Sequence, residues 1–138
     1  MKQVITNRQI HYWVATGFAG VALTAIGVVD IVRVPAVMEA LHHLGYPSYL
    51  STILGVAKLL GVLAIVTPGH ARLKEWAYAG FFFDLFGAAV SHAVSGDPAV
   101  NVLVPLVLLA VVMTSWTLQP AREANGAVEP VHHAPERA

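Results

Sequence analysis

The feature that most constrains this chain is a series of four apolar segments, each long enough to cross a lipid bilayer. They cover roughly residues 10–32, 48–66, 74–95 and 99–118. A hydrocarbon core of roughly 30 Å requires about 20 helical residues. Because unpaired backbone groups are too costly in lipid, each segment is predicted to be a helix. The predicted fold class is therefore all-α: a polytopic membrane protein whose four transmembrane helices form one bundle over residues 1–120.

Composition supports a membrane protein over a soluble one. Hydrophobic residues make up 57% of the 138 residues, and charged residues make up 12%. A soluble domain carries about 25% charged residues, and one of this size could not bury so much apolar surface. The formal net charge is zero, and the sequence contains no basic patch for nucleic acid, so the lipid bilayer is the expected partner. The absence of cysteine excludes disulfides and thiol chemistry.

The connections between the spans differ in character. Residues 33–47 contain Pro35, which can start a helix, and Gly45 with Pro47, which can end one. Apolar residues recur there at helical spacing, so a short interfacial helix is predicted between the first two spans. Residues 121–138 are polar and rich in Ala, Glu and Pro, which predicts a disordered cytoplasmic tail.

Orientation follows from the distribution of lysine and arginine. The chain is predicted to be a multi-pass protein of the cell (inner) membrane. The positive-inside rule places both of its termini in the cytoplasm. The first span is expected to be retained, because its apolar run is longer than that of a cleaved signal peptide. Arg33 is the one basic residue predicted outside, and six are predicted inside: Lys2, Arg8, Arg72, Lys74, Arg122 and Arg137.

Ionisable side chains within the spans are the candidate functional residues. Lys58 and Asp84 lie near the middle of consecutive antiparallel helices, where an unpaired charge costs roughly 2.5–3.5 kcal/mol, so we expect them to pair. Asp30 and His92 are predicted to form a second, outer polar layer, which Ser91 connects to Asp84. The pair either fixes the helix register or belongs to a functional pocket formed by these five residues.

Helical spacing also predicts which faces meet protein and which meet lipid. On the third span, Gly80, Asp84 and Gly87 share one side, and bulky residues, including Phe82 and Phe86, occupy the other. Small residues let helices approach closely, so the glycines are predicted at a helix interface and the phenylalanines at lipid. An interfacial aromatic belt is predicted near the span ends: Tyr12, Trp13, Tyr49, Trp76 and Trp116.

Histidines do not indicate a metal or haem site. His11 and His92 are predicted at opposite faces of the membrane, so they cannot share one haem iron. No three-ligand cluster for a catalytic metal is apparent, and no metal is expected. His42 and His43 are adjacent, point apart on a helix, and are expected to be solvated.

Three runs of sequence resemble the DoxX-like family of small four-helix integral membrane proteins. They read HHLGYPSYL, ILGVAKLLGVLAIVTPG and LKEWAYAGFFFDLFGAAVSHAVSGD. The resemblance covers about residues 15–120. The positions that match the family pattern, as motif positions and not as known catalytic residues, are Glu75, Trp76, Tyr78, Gly80, Asp84, His92 and Asp97.

The resemblance implies a function without assigning a catalytic residue. Members are similar to small membrane subunits of a thiosulfate:quinone oxidoreductase. The chain is therefore expected to be an accessory or small subunit of a quinone-linked membrane redox complex, with redox proteins as partners and no independent catalysis. Quinone is the cofactor that the resemblance suggests. The alternative is a binding or transport module for a small lipophilic molecule, in a pocket around Lys58 and Asp84. The sequence is also compatible with a homo-oligomer.

Overall fold

The computed structural model describes residues 7–120 as an all-helical protein. Four of its helices are long and apolar enough to cross a membrane, which confirms the predicted fold class. The short helix between the first two spans is also present. The predicted tail, residues 121–138, lies outside the described residues. In chain order the helices are α1 (Asn7–Val32), α2 (Pro35–His43), α3 (Tyr49–Val66), α4 (Ala71–Val94) and α5 (Ala99–Thr117).

The four long helices form an antiparallel bundle. Helix α1 packs against α3 and α5, and α4 packs against the same two helices. The order around the bundle is therefore α1, α3, α4, α5. This order places α3 between α1 and α4, so a side chain on α3 can reach acidic groups on both neighbours. We call the end of the bundle that carries α2 the α2 end.

Helices α1 and α3 approach each other closely through two glycines. A Cβ atom added at Gly55 would lie 2.7 Å from the carbonyl oxygen of Gly27, and one added at Gly27 would lie 3.1 Å from that of Gly55. Backbones in membranes pack this closely where small residues face each other. The same Cβ at Gly55 would lie 3.0 Å from Cβ of Asp30, so Asp30 is level with Gly55 on α3.

An apolar core fills the centre of the bundle. Helix α4 contributes Phe81, whose ring packs on the backbone of α3 at Gly61. A Cβ at Gly61 would lie 2.5 Å from Phe81 Cζ, so the glycine makes room for the ring. The buried core residues are Ala19 and Leu23 from α1, Ile65 from α3, Tyr78, Phe81 and Leu85 from α4, and Leu108, Leu109 and Val112 from α5.

The predicted helix interface at Gly80 and Gly87 is wrong. A Cβ atom at either position would meet no atom within 4 Å. The buried face of α4 carries Tyr78, Phe81 and Leu85 instead. Lipid tails are as apolar as these side chains, so hydrophobicity does not decide which face turns inward. Large side chains that fit the neighbouring helices form most of this buried face, and Gly80 and Gly87 lie outside it.

Most other predictions about faces hold. Phe82 and Phe86 are exposed as predicted, whereas Phe81 is buried in the core. Trp13 and Trp76 are also exposed, as an interfacial belt requires. Tyr12 is not a belt residue, because it is buried within the bundle.

A glycine turn shapes the α2 end between α4 and α5. Gly96 has a φ of 73°, a left-handed conformation that glycine adopts without steric cost. The turn brings the chain back on itself, so that the backbone N–H of Asp97 donates to the carbonyl oxygen of His92 at 3.1 Å. Asp97 is thereby held beside the last turn of α4.

Candidate functional site

Three ionisable side chains from three helices meet inside the bundle. Lys58 Nζ lies 3.1 Å from Asp30 Oδ2 and 3.2 Å from both carboxylate oxygens of Asp84. The side chains are 8%, 12% and 17% exposed, respectively. We call Asp30, Lys58 and Asp84 the ion cluster. Hydrogen bonding to both acids satisfies two of the three donors of the ammonium group.

The predicted contact between Lys58 and Asp84 is present, but the predicted position of Asp30 is wrong. Asp30 was expected in an outer layer with His92, and it bonds to Lys58 instead. Asp30 is level with Gly55 on α3. Gly55 precedes Lys58 by three residues, so Asp30 and the backbone of Lys58 are offset by about 4.5 Å along the helix axis. The long lysine side chain spans that distance, because the glycine crossing brings α1 close to α3.

The end of α1 is fixed next to the ion cluster by two further hydrogen bonds. Ser51 Oγ donates to the carbonyl oxygen of Asp30 at 2.6 Å. Arg33 Nε donates to Thr52 Oγ1 at 3.1 Å. Both bonds join α1, or the residue that follows it, to the first turn of α3. They therefore set the depth of Asp30 relative to Lys58.

A groove of about 570 Å³ lies between α3 and α4. Lys58 and Asp84 are its polar lining residues, and the rest of its wall is apolar or aromatic. We call it the α3–α4 groove. On α3 its lining extends from Leu54 to Ala64, which is about 15 Å along a helix. The groove therefore runs from the end of the bundle opposite α2 to the level of the ion cluster.

The remaining residues of the predicted pocket belong to a separate cluster at the α2 end. Asp97 bonds to His92 Nδ1 through one oxygen and to His43 Nε2 through the other, both at 2.6 Å. Hydrogen bonds from His92 and, second, from His43 hold the pKa of Asp97 below its ordinary value. The Tyr46 hydroxyl lies 2.7 Å from Ser91 Oγ. We call these five residues the α2-end cluster.

The α2-end cluster adds a contact that was not predicted for one histidine. His43 is exposed, as predicted, and its ring also contacts Asp97. Residue spacing on α2 alone could not reveal this contact, because Asp97 comes from a distant turn.

Ser91 lies seven residues beyond Asp84, about 10 Å along α4. The predicted pocket is thus divided into two clusters.

A buried group of hydroxyls that was not predicted from the sequence lies at the opposite end of the bundle. Ser115 Oγ lies 2.6 Å from Thr16 Oγ1 and 2.8 Å from the Tyr78 hydroxyl. Tyr12 is buried close to Tyr78. The available signal was the spacing of Tyr12 and Thr16, which are four residues apart and share a face of α1. These hydrogen bonds join α1, α4 and α5.

The positions that match the family pattern lie at different places in the bundle. Tyr78 is in the buried hydroxyl group, and Asp97 is in the α2-end cluster. Glu75 Oε2 accepts a hydrogen bond of 2.8 Å from Trp116 Nε1. Trp76 and Gly80 line the α3–α4 groove. Within residues 7–120, no three His, Asp or Glu side chains are arranged to hold a metal ion.

Comparison with known protein families gives a match over most of the chain. Residues 14–115 match the family model described as the DoxX-like family, which covers most of the chain and nearly all of the bundle. No curated protein and no solved structure matches the chain significantly.

Proposed function

The chain belongs to the DoxX-like family, and from that premise and the geometry of the ion cluster we propose that it binds a small lipophilic molecule in the α3–α4 groove. The observation that carries this proposal is the position of Lys58 and Asp84 on the wall of an otherwise apolar groove. Ligand sites combine mostly apolar walls with a few polar groups that fix orientation. The volume of about 570 Å³ is in the range of small-molecule sites.

The ion cluster contains more than a structural ion pair requires. Asp30 alone would neutralise Lys58 within the α1–α3 interface. A second carboxylate at mid-membrane adds a further desolvation cost, and Lys58 does not need it for neutralisation. Asp84 is the acid that lines the groove. A role in holding a ligand gives a reason for an acid at this position.

Quinone is the ligand that the family resemblance suggests. The carbonyl of a bound quinone would accept a hydrogen bond from Lys58, and the apolar tail of the quinone would lie along the groove. The chain would then act as an accessory subunit of a quinone-linked membrane redox complex, without catalysis of its own. The open position on α4 at Gly87, outside the groove, supports this second role, because small residues allow a helix of another protein to pack closely.

Filling the groove tests the binding function. Gly80 lines the groove and a Cβ there meets no atom within 4 Å, so Gly80→Phe should occupy the groove without disturbing the bundle. Gly17→Phe is the matched control, because Gly17 is equally open but lies on α1, outside this groove. Both variants and the wild type would be extracted gently from the membrane and analysed by native mass spectrometry.

The expected result is a lipophilic molecule that stays bound to the wild type and to Gly17→Phe but is lost from Gly80→Phe. Equal retention by all three proteins would contradict the groove as the binding site.

The same spectra report partner proteins. A redox protein that remains bound to wild type would support the accessory role, and its absence in complexes from the native membrane would count against that role.

A further inference from the structure

The ion cluster contains two acids and one base. Helix α1 contributes Asp30, α3 contributes Lys58 and α4 contributes Asp84. Arg33, which follows α1, donates its Nε to the α3 hydroxyl at Thr52. Helix α5 carries no ionisable residue from Ala99 to Thr117. With all three groups ionised, the cluster has an excess of one negative charge.

An excess charge inside a membrane must be neutralised, because it costs several kcal/mol when left uncompensated. Asp30 lies between α1 and α3 and does not line the α3–α4 groove. It contacts Lys58 from the side away from the groove. Asp84 contacts Lys58 at the wall of the groove, where a ligand could reach its carboxylate. Asp84 is therefore the acid of the ion cluster that a ligand in the groove can reach.

We propose that the α3–α4 groove takes a lipophilic cation, with its positive charge against Asp84 and its apolar body along the groove. This inference rests on the proposed binding function, and it replaces the quinone that the family resemblance suggests with a different class of ligand. Three aromatic residues line the groove, Trp76, Phe81 and Phe83, and aromatic faces attract cations. A neutral molecule such as quinone would leave the excess charge in place. A proton on one carboxyl would also neutralise the cluster, and a bound cation would replace it.

Two ions of nearly equal size and opposite charge test the proposal. Tetraphenylphosphonium is a lipophilic cation, and tetraphenylborate is an anion of nearly the same shape. Decylubiquinone serves as the neutral probe. Equilibrium binding of each would be measured with the full chain in lipid nanodiscs, and empty nanodiscs would give the background from partitioning into lipid.

Three variants separate charge from shape. Asp84→Asn removes the acid at the groove, and Glu39→Gln removes an acid from the exposed surface of α2 as a control. Gly80→Phe fills the groove. We expect the wild type to bind tetraphenylphosphonium above background and more tightly than the other two probes. Asp84→Asn should weaken that binding roughly tenfold or more, as expected when one partner of a buried charge pair is removed, and Glu39→Gln should leave it unchanged.

The outcomes distinguish this inference from the proposed function. If decylubiquinone or tetraphenylborate binds best and Gly80→Phe abolishes that binding, the groove is a binding site and the inference of a cation is wrong. If Gly80→Phe changes the binding of no probe, both are wrong. The comparison among probes uses wild-type protein, so it decides the question even if Asp84→Asn fails to fold.

Discussion

Replacing Lys58 with methionine should be the most destabilising single change in the ion cluster. Lys58 is 3.1 Å from Asp30 and 3.2 Å from Asp84, so its loss leaves two buried carboxyls without their cation. At an effective dielectric constant of about 20, each contact corresponds to about 5 kcal/mol of gross attraction, most of which offsets desolvation. The expected net loss is about 3–5 kcal/mol, the range measured when one partner of a buried ion pair is removed.

Replacing Asp84 should cost much less, because Asp30 still neutralises Lys58. Asp84→Asn keeps the shape of the side chain and removes a negative charge that a proton or a bound cation would otherwise neutralise. We expect a loss of about 1 kcal/mol, the contribution of a typical hydrogen bond. In the double variant Lys58→Met with Asp84→Asn, Asp30 remains unpaired, so only part of the loss should be recovered. Adding Asp30→Asn should recover most of the remainder.

The assay is reversible unfolding of detergent-solubilised protein, followed by circular dichroism, for the wild type, both single variants, the double and the triple. The coupling free energy between Lys58 and Asp84 follows from the double-mutant cycle. A coupling near zero would show that the two do not interact. Equal losses in Asp84→Asn and Lys58→Met would refute the argument that two acids share one lysine.

Other consequences can be measured independently. Gly55→Ala should lower stability by about 1–3 kcal/mol through overpacking, whereas Gly80→Ala should not, and equal thermal stability of the two variants would contradict the α1–α3 crossing. Because the folded pKa of Asp97 is lowered, its contribution to stability should be complete above the ordinary value of about 3.9 and lost as pH falls through the lowered value. An NMR titration of the carboxyl measures the lowered pKa of Asp97, and His43→Ala and His92→Ala should each raise that pKa. Reporter fusions at Asp97 and at the C-terminus should lie on opposite sides of the membrane, and a shared side would refute the topology.

The length and apolarity of four segments were enough to determine the fold class from the sequence. Lipid forces each segment to satisfy its backbone hydrogen bonds internally, so apolar segments of this length become helices. Consecutive spans run antiparallel, and Lys58 and Asp84 each lie near the middle of one of two such spans. Their contact was therefore predictable. The sequence also contained the runs that resemble the DoxX-like family.

Tertiary structure alone decided how far each helix is rotated and at what depth it packs. The glycine crossing of α1 and α3 set the depth of Asp30 and brought it within reach of Lys58. Rotation of α4 left Gly80 facing open space, against the prediction from its small-residue face. In lipid, apolar side chains gain little by facing protein over facing hydrocarbon, so rotation depends on the fit between particular side chains. That fit arises only when the helices meet, and no pattern within a single helix contains it.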